Sequence, residues 1–170
     1  MPALTPTLCR DAMAVHIATV TGAGTMIHKH RRKFLNERDV KKLLYDPTLA
    51  KLVGWMISPA ASNTTVVERN PGHAGIGTRG AGNNFVTLQW QIEGYHVLDD
   101  ADASEQVFMD LAWNVAKEFN AYGVIPGFGS PPACHLQLPA DVEAFGFAML
   151  AGWGLVHYCR ISIGFRGQML

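Results

Sequence analysis

Residues 84–98, with the sequence NFVTLQWQIEGYHVL, alternate between apolar and polar side chains with a period of two. Such alternation is typical of a β-strand, because successive side chains point to opposite faces of a sheet. One face would carry Val86, Leu88, Trp90 and Ile92, and the other Thr87, Gln89, Gln91 and Glu93. The pattern therefore predicts a long antiparallel strand with one buried face and one wetter face.

Three other stretches have the spacing of helices. An amphipathic helix is predicted over residues 7–20, a short inserted helix at about 37–45 and a main helix at about 103–120. Asn36 and Asp102 are the predicted N-caps of the second and third helices. The apolar residues that recur along the main helix are Phe108, Leu111, Val115 and Phe119.

The remaining elements are predicted strands, at residues 25–34, 51–58, 63–70, 133–139, near 143–150 and 156–165. In the last of them the inward-facing side chains would be Cys159, Ile161, Ile163 and Phe165. The order of elements predicts one α+β domain over residues 1–170. Its antiparallel or mixed β-sheet would pack against the N-terminal helix and the main helix, with the helices on one face.

Composition limits the classes of function. Hydrophobic residues make up 48% of the 170 residues and charged residues 16%, which is typical of a globular domain. The 14 Lys and Arg residues balance 14 Asp and Glu residues, so binding of DNA by bulk charge is disfavoured. A chain with no net charge is also suited to self-association.

Cysteine use and hydropathy predict the compartment. Cys9, Cys134 and Cys159 are an odd number without C-x-x-C spacing, which indicates unpaired thiols in a reducing compartment. The apolar run at 144–156 is shorter than the roughly 20 residues that a membrane span needs. We therefore expect a soluble protein, cytoplasmic where it is made, with no membrane partner.

The segment 72–84, GHAGIGTRGAGNN, contains a G-x-G-x-x-G pattern at Gly75, Gly77 and Gly80. A dinucleotide site needs a helix directly after these glycines, whereas the predicted element here is a strand. No Lys-Ser/Thr pair follows, so a Walker phosphate loop is excluded as well. The segment is predicted to be a mobile loop, too long for a tight hairpin, and no cofactor is expected.

The histidines and the basic run at 28–33 are candidate sites. His28 and His30 could share one face of a strand, but no third ligand is placed near them and basic residues surround them. Lys29, Arg31, Arg32 and Lys33 are interpreted first as a solvated strand edge. Their alternative role is contact with an acidic partner or with passing nucleic acid.

No catalytic constellation is found in the sequence. There is no G-x-S-x-G elbow, and the adjacent Cys134 and His135 would point to opposite faces of a strand. The acidic run at 99–102 is explained by the negative charge that a helix start favours. We predict no catalytic, cofactor-binding or metal-binding residues, and the protein is not expected to be an enzyme.

The layout from residue 85 to residue 120 resembles the tail terminator proteins of tailed bacteriophages. A strand of the form W-x-I-x-G-Y leads into an acidic turn, and S-E-x-x-F opens the main helix. A V-T-G-A-G-T turn after the N-terminal helix and the closing strand HYCRISIGF are also similar. The residues that carry the motifs are Trp90, Ile92, Gly94, Tyr95, Ser104, Glu105 and Phe108.

This resemblance implies a structural virion protein. Six copies would form a ring on the tail tube, stop tube polymerisation and present a surface to the head-tail connector protein. DNA would pass only through the channel, and the location would be the head-proximal end of the tail, after assembly in the host cytoplasm. The basic patch of Lys29 to Lys33 would lie at an interface or in the channel. The residues expected to contact the tail tube protein are Gly75, Gly77, Thr78, Arg79 and Gly80.

Three alternatives remain open at this point. The first is a head-tail connector or completion protein with a related ring fold. The second is a small cytoplasmic enzyme or ligand-binding α+β domain that uses His96 or the segment 72–84. The third is a nucleic-acid-binding protein that uses Lys29 to Lys33, which would show steep salt dependence.

Overall fold

The computed structural model describes residues 5–60, 66–69, 84–99, 103–121 and 134–169, with only the backbone of 66–69, 84–86, 134–138 and 167–169. The helices are α1 (Pro6–Thr19), α2 (Glu37–Leu44) and α3 (Ser104–Ala121). The strands are β1 (Ile27–His28), β2 (Tyr45–Asp46), β3 (Lys51–Pro59), β4 (Val66–Arg69), β5 (Asn84–Val97), β6 (Cys134–Leu150) and β7 (Gly154–Met169). None of these described helices is both long and apolar enough to cross a membrane.

The strands form one mixed sheet in the order β1-β3-β5-β7-β6, with β2 and β4 pairing with β3 and β5. The long strand predicted from alternation is β5, which lies at the centre and pairs antiparallel with β3 and β7. β1 runs parallel to β3. The predicted α+β class, with an N-terminal helix, a main helix and a short inserted helix, is therefore confirmed.

Two strand predictions need correction. The segment predicted as extended over 25–34 contains only the two-residue strand β1, because the chain then leaves the sheet and crosses its face. The two stretches predicted at 133–139 and near 143–150 belong to one strand, β6, whose pairing with β7 has irregularities between Leu136 and Ala144. β-Bulges of this kind bend a strand without ending it.

The main core lies between the sheet and helices α1 and α3. Trp90, Ile92, Ile161 and Phe165 point into it, as the alternation predicts. The helices contribute Met13, Ile17, Phe108 and Val115, all buried. The thiols of Cys9 and Cys159 lie in this core unpaired, and burial raises the pKa of Cys159 to about 12.

Helix α2 covers the opposite face of the sheet, so the prediction that all helices share one face is wrong. β3 explains this, because it buries residues on both of its sides. Val53, Trp55 and Ile57 face α1 and α3, whereas Leu52 and Met56 pack with Val40 and Leu44 of α2. The second cluster also includes Tyr95, Leu150 and Val156.

Side chains cap the helices and fix the turns. Asn36 accepts a hydrogen bond from the Asp39 N–H, which confirms it as the N-cap of α2. α3 begins at Ser104, and the predicted cap Asp102 lies outside the described residues. Buried Asp46 fixes another turn, since its carboxylate accepts hydrogen bonds from Thr25, Thr48 and Leu49.

Candidate partner-binding surfaces

The residues that carry the family resemblance lie on both faces of the sheet and at the start of α3. Trp90, Ile92 and Phe108 are buried in the main core, whereas Tyr95 belongs to the cluster on the α2 face. Gly94 faces Trp55 and Cys159 in the strand register, and a Cβ there would lie 2.5 Å from Trp55 Cζ3 and 2.7 Å from Cys159 Sγ. These motif residues therefore determine how α3 packs on the sheet.

Ser104 joins the start of α3 to strand β7. Its hydroxyl accepts a hydrogen bond from the Asp99 N–H at 2.8 Å and lies 2.8 Å from His157 Nε2, to which it can donate. Both side chains are buried. The pair thus connects the acidic turn, the helix and the sheet, while the motif residue Glu105 is exposed.

His96 is the histidine that the ligand-binding alternative uses. It is buried, stacks on Phe108, and its Nδ1 donates a hydrogen bond to the Val97 carbonyl at 2.9 Å. Burial lowers the pKa of His96, the hydrogen bond to Val97 opposes this change, and the neighbouring Lys51 charge lowers the pKa further. His96 and Lys51 line a cavity of about 230 Å³ beside Asp110 and Asn114.

All four residues of the predicted basic patch are exposed, but they differ in their contacts within the chain. Lys29 Nζ lies 2.6 Å from Asp11 Oδ1, and Arg31 Nη2 lies 3.1 Å from Glu93 Oε1. Arg32 and Lys33 are exposed, and neither forms an ion pair with a residue that the structure describes. Two of the four charges are therefore used within the chain, and two are available to a partner.

Glu93, predicted on the wetter face of β5, is instead buried, with a side chain that is 2% exposed. Tyr158 donates a hydrogen bond to Glu93 Oε1 at 3.3 Å, and Arg160 Nε donates to the Tyr158 hydroxyl at 3.2 Å. Burial and the neighbouring Glu93 charge raise the pKa of Tyr158. The exposed Arg31 is the cation in contact with this carboxylate.

The part of the chain that covers Glu93 is the segment 29–37, which crosses the α2 face of the sheet. The Arg32 N–H donates to Met56 Sδ at 3.4 Å, and the Phe34 ring contacts Tyr95 edge-on at 5.5 Å between centroids. A Cβ at Gly152, in the β6–β7 turn, would collide with Glu37. The segment therefore passes from β1 over β3 and β5 to the β6–β7 turn.

Arg31→Met is expected to lower the free energy of unfolding by about 2 kcal/mol, because a buried carboxylate loses its cation. Arg32→Met removes an equal charge that has no described ion-pair partner, so it is expected to cost less than about 0.5 kcal/mol. Urea denaturation measures both values. Equal losses in the two variants would show that the Arg31–Glu93 contact does not stabilise the fold.

Exposed apolar side chains concentrate beside strand β6. Phe147 and Met149 are 55% and 72% exposed, and Leu155, the strand partner of Met149, is 49% exposed. All three lie on the α3 face of the sheet, because they alternate with Ala148 and Val156, which pack on the α2 face. A cluster of this kind on a domain surface is typical of a protein interaction site.

Trp113 of α3 extends this cluster. Asn120, seven residues later on the helix, exchanges hydrogen bonds with the main chain of Ala140 in β6 at 3.0 and 2.7 Å. Seven residues are almost two helical turns, so Trp113 lies on the same side of α3, facing β6. Its side chain is 55% exposed.

The outer edge of β6 is a second feature of this surface. β6 ends the strand order, and none of the described strands pairs with its outer side. Residues 144–150 pair regularly with β7, without bulges. Edge strands present unpaired N–H and C=O groups to other chains, and an apolar edge strand favours association. We call Trp113, Leu155 and residues 141–150 the β6 edge.

Charge distinguishes the β6 edge from the basic run at 28–33. Residues 134–150 contain no Lys or Arg, whereas Asp141 and Glu143 are exposed. The sequence prediction missed this surface, since it treated 143–150 as one strand among several and the apolar run at 144–156 as too short for a membrane span. The available signal was that apolar residues occupy both faces of the strand predicted at 143–150.

The remaining site residues are separated or lie outside the described part. His28 Nε2 contacts the Leu43 carbonyl and His30 Nδ1 accepts from Arg10, so the two histidines have different neighbours. No group of three metal ligands occurs within the described residues. The predicted tube-contacting residues, Gly75, Gly77, Thr78, Arg79 and Gly80, lie outside the described residues, as do the side chains of Cys134 and His135.

No protein-family model matches this sequence, and no curated protein matches it either.

Proposed function

We propose that this chain is a structural protein that assembles into a ring on the end of a phage tail tube. The ring of six copies stops tube polymerisation and presents a surface to the head-tail connector. The protein acts by binding other proteins, not by catalysis. Its location in this proposal is the head-proximal end of the tail.

The exposed β6 edge is the observation that supports this proposal most. Phe147, Met149 and Trp113 are each more than half exposed beside a strand edge that no described strand covers. A protein that remains monomeric gains nothing from such a surface and risks aggregation. A ring subunit uses it for a neighbour.

The position of the motif residues agrees with the proposal. The resemblance to tail terminators rests on a strand, an acidic turn and a helix, and these are β5, the turn at Asp99 and α3. Ser104 contacts Asp99 in the turn, Phe108 of α3 stacks on His96 of β5, and Gly94 leaves room for Trp55 and Cys159 on the flanking strands. They therefore support the resemblance in fold to tail terminators, and the proposed function is based on that resemblance.

Co-sedimentation separates this function from that of a head-tail connector. Purified protein is mixed either with polymerised tail tubes or with connector rings of the same phage. We expect it to pellet with tubes, at their ends in electron micrographs, and to shorten tubes that grow in its presence. Binding to connectors with no effect on tube length would contradict the terminator role.

Deleting residues 73–82 is expected to leave ring formation intact and to weaken docking to tubes. The flanking strands pair at Arg69 and Asn84, so the four residues that remain can form a hairpin connection of ordinary length. Tube capping is counted by electron microscopy, with Val15→Ser on α1 as a control variant. Unchanged capping by the deletion variant would contradict the assigned role of the segment.

A further inference from the structure

We propose that the β6 edge of one copy binds the basic segment of the next copy, which makes the ring contact heterologous. The basic segment consists of Arg32, Lys33, Leu35 and Arg38. This inference rests on the proposed ring and names the surfaces that form it. Both surfaces are present on every copy, so each subunit has one neighbour on each side.

Charge makes the two surfaces complementary. The β6 edge carries the exposed acids Asp141 and Glu143, of which Glu143 also interacts with Arg160 of β7, and residues 134–150 contain no Lys or Arg. The basic segment carries three exposed cations, Arg32, Lys33 and Arg38, and none has an ion-pair partner among the described residues. Opposite potentials across an interface select the correct partner and register.

Apolar side chains complete the match. Leu35, between the cations of the basic segment, is 77% exposed, the largest exposure among the large hydrophobic residues described. Met149 at the β6 edge is 72% exposed. A contact between copies removes both from water, and about 25 cal/mol is gained for each Å² of apolar surface that is buried.

The two surfaces cannot meet within one copy. The basic segment is held on the α2 face by the contacts of Arg32 with Met56 and of Phe34 with Tyr95. Phe147 and Met149 lie on the opposite, α3 face of the sheet. Two complementary surfaces at different places on one subunit produce a head-to-tail series, which closes into a ring when the rotation permits.

The symmetric alternative is less favourable. A twofold contact between two β6 edges would bring acids from both copies together and leave the basic segments unused. A twofold contact between two basic segments would place six cations at one interface, and like charges across an interface oppose binding. The heterologous contact is the arrangement that pairs the opposite charges.

A mixing experiment with two complementary variants tests this inference. The edge variant carries Asp141→Lys and Met149→Lys, and the segment variant carries the neutral substitutions Arg32→Ser and Lys33→Ser, so that the two altered surfaces do not attract each other. Each changes one surface and keeps the other, so each alone is expected to be monomeric. Assembly of each is expected to need at least about thirtyfold more protein than the wild type, the loss typical of an interface hot spot.

An equimolar mixture of the two variants is expected to form a one-to-one heterodimer. Its intact contact joins the β6 edge of the segment variant to the basic segment of the edge variant. The dimer cannot grow, because both of its outer surfaces are altered. Native mass spectrometry measures the stoichiometry, and Val15→Lys on α1, at a 64% exposed position, should leave the ring unchanged.

Several results would overturn the inference. A segment variant that still forms dimers or rings would show that the basic segment is not the partner of the β6 edge. If both variants formed rings as the wild type does, the proposed function would stand, but the β6 edge and the basic segment would not be the surfaces that form the ring. A wild-type protein that never forms a ring refutes the proposed function itself. Melting curves check folding first, and Leu155→Lys replaces any edge variant that is unstable.

Discussion

Gly94→Ala is expected to lower the free energy of unfolding by about 3 kcal/mol, because the fully packed core has no room for one additional carbon. The new Cβ would lie 2.5 Å from Trp55 Cζ3, 2.9 Å from Trp55 Cε3 and 2.7 Å from Cys159 Sγ. All three atoms belong to buried side chains on the flanking strands. Urea denaturation followed by Trp fluorescence measures the change.

Gly146→Ala is the matched control for this substitution. Gly146 also lies within a strand, β6, but a Cβ there has no atom within 4 Å. The free energy of unfolding is expected to change by less than about 0.5 kcal/mol. Equal stability of both variants would contradict the close packing of Trp55 against Gly94. It would also contradict the explanation that the W-x-I-x-G-Y motif needs its glycine for this packing.

Asp46→Asn is expected to cost about 3 kcal/mol of stability, since an amide nitrogen cannot accept a hydrogen bond. Oδ1 of Asp46 accepts from the N–H groups of Thr48 and Leu49, and Oδ2 accepts from the N–H and hydroxyl of Thr25. Either orientation of the asparagine leaves one pair of donors unsatisfied. Asp110→Asn, at an exposed position, is the control and should change stability by less than about 0.5 kcal/mol.

The same carboxylate predicts a dependence of stability on pH. Burial opposes ionisation of Asp46, but the hydrogen bonds from Thr25, Leu49 and Thr48 outweigh it and lower the pKa from 3.8 to about 2. A pKa that is lower in the folded state stabilises the fold above about pH 4, and this stabilisation is lost as the pH falls towards 2. The stability difference between wild type and Asp46→Asn should therefore shrink over that interval. A constant difference would contradict the assigned role of Asp46.

The central strand and the main helix could be predicted because their signals are local. Alternation over 84–98 depends only on the chain itself, and Trp90 and Ile92 are buried as it requires. Helical spacing placed Phe108 in the core for the same reason. Asn36 was found as a cap because its side chain reaches an N–H three residues later.

Contacts between residues that are far apart in the sequence could not be predicted from these local patterns. Glu93 has a polar side chain in an alternating strand, so the pattern placed it in water. It is buried because the segment 29–37, about sixty residues earlier, crosses that face and brings Arg31 to it. The position of α2 on the second face has the same origin, because β3 is apolar on both sides.

The contacts of the candidate interface could be predicted only in part. The pattern shows the basic run, but not that Lys29 contacts Asp11 and Arg31 contacts Glu93. The β6 edge was missed because the strand order decides which strand lies at the edge, and pairing cannot be derived from the pattern of one strand. Phe147 and Met149 are exposed, although they alternate along their strand in the same way as apolar core residues do.

Electron microscopy of the purified wild-type protein, with light scattering on the same sample, tests the central claim most directly. We expect closed rings of six subunits around a central channel, with a mass six times that of the 18.5 kDa chain. A compact monomer at every concentration tested would contradict the proposed function.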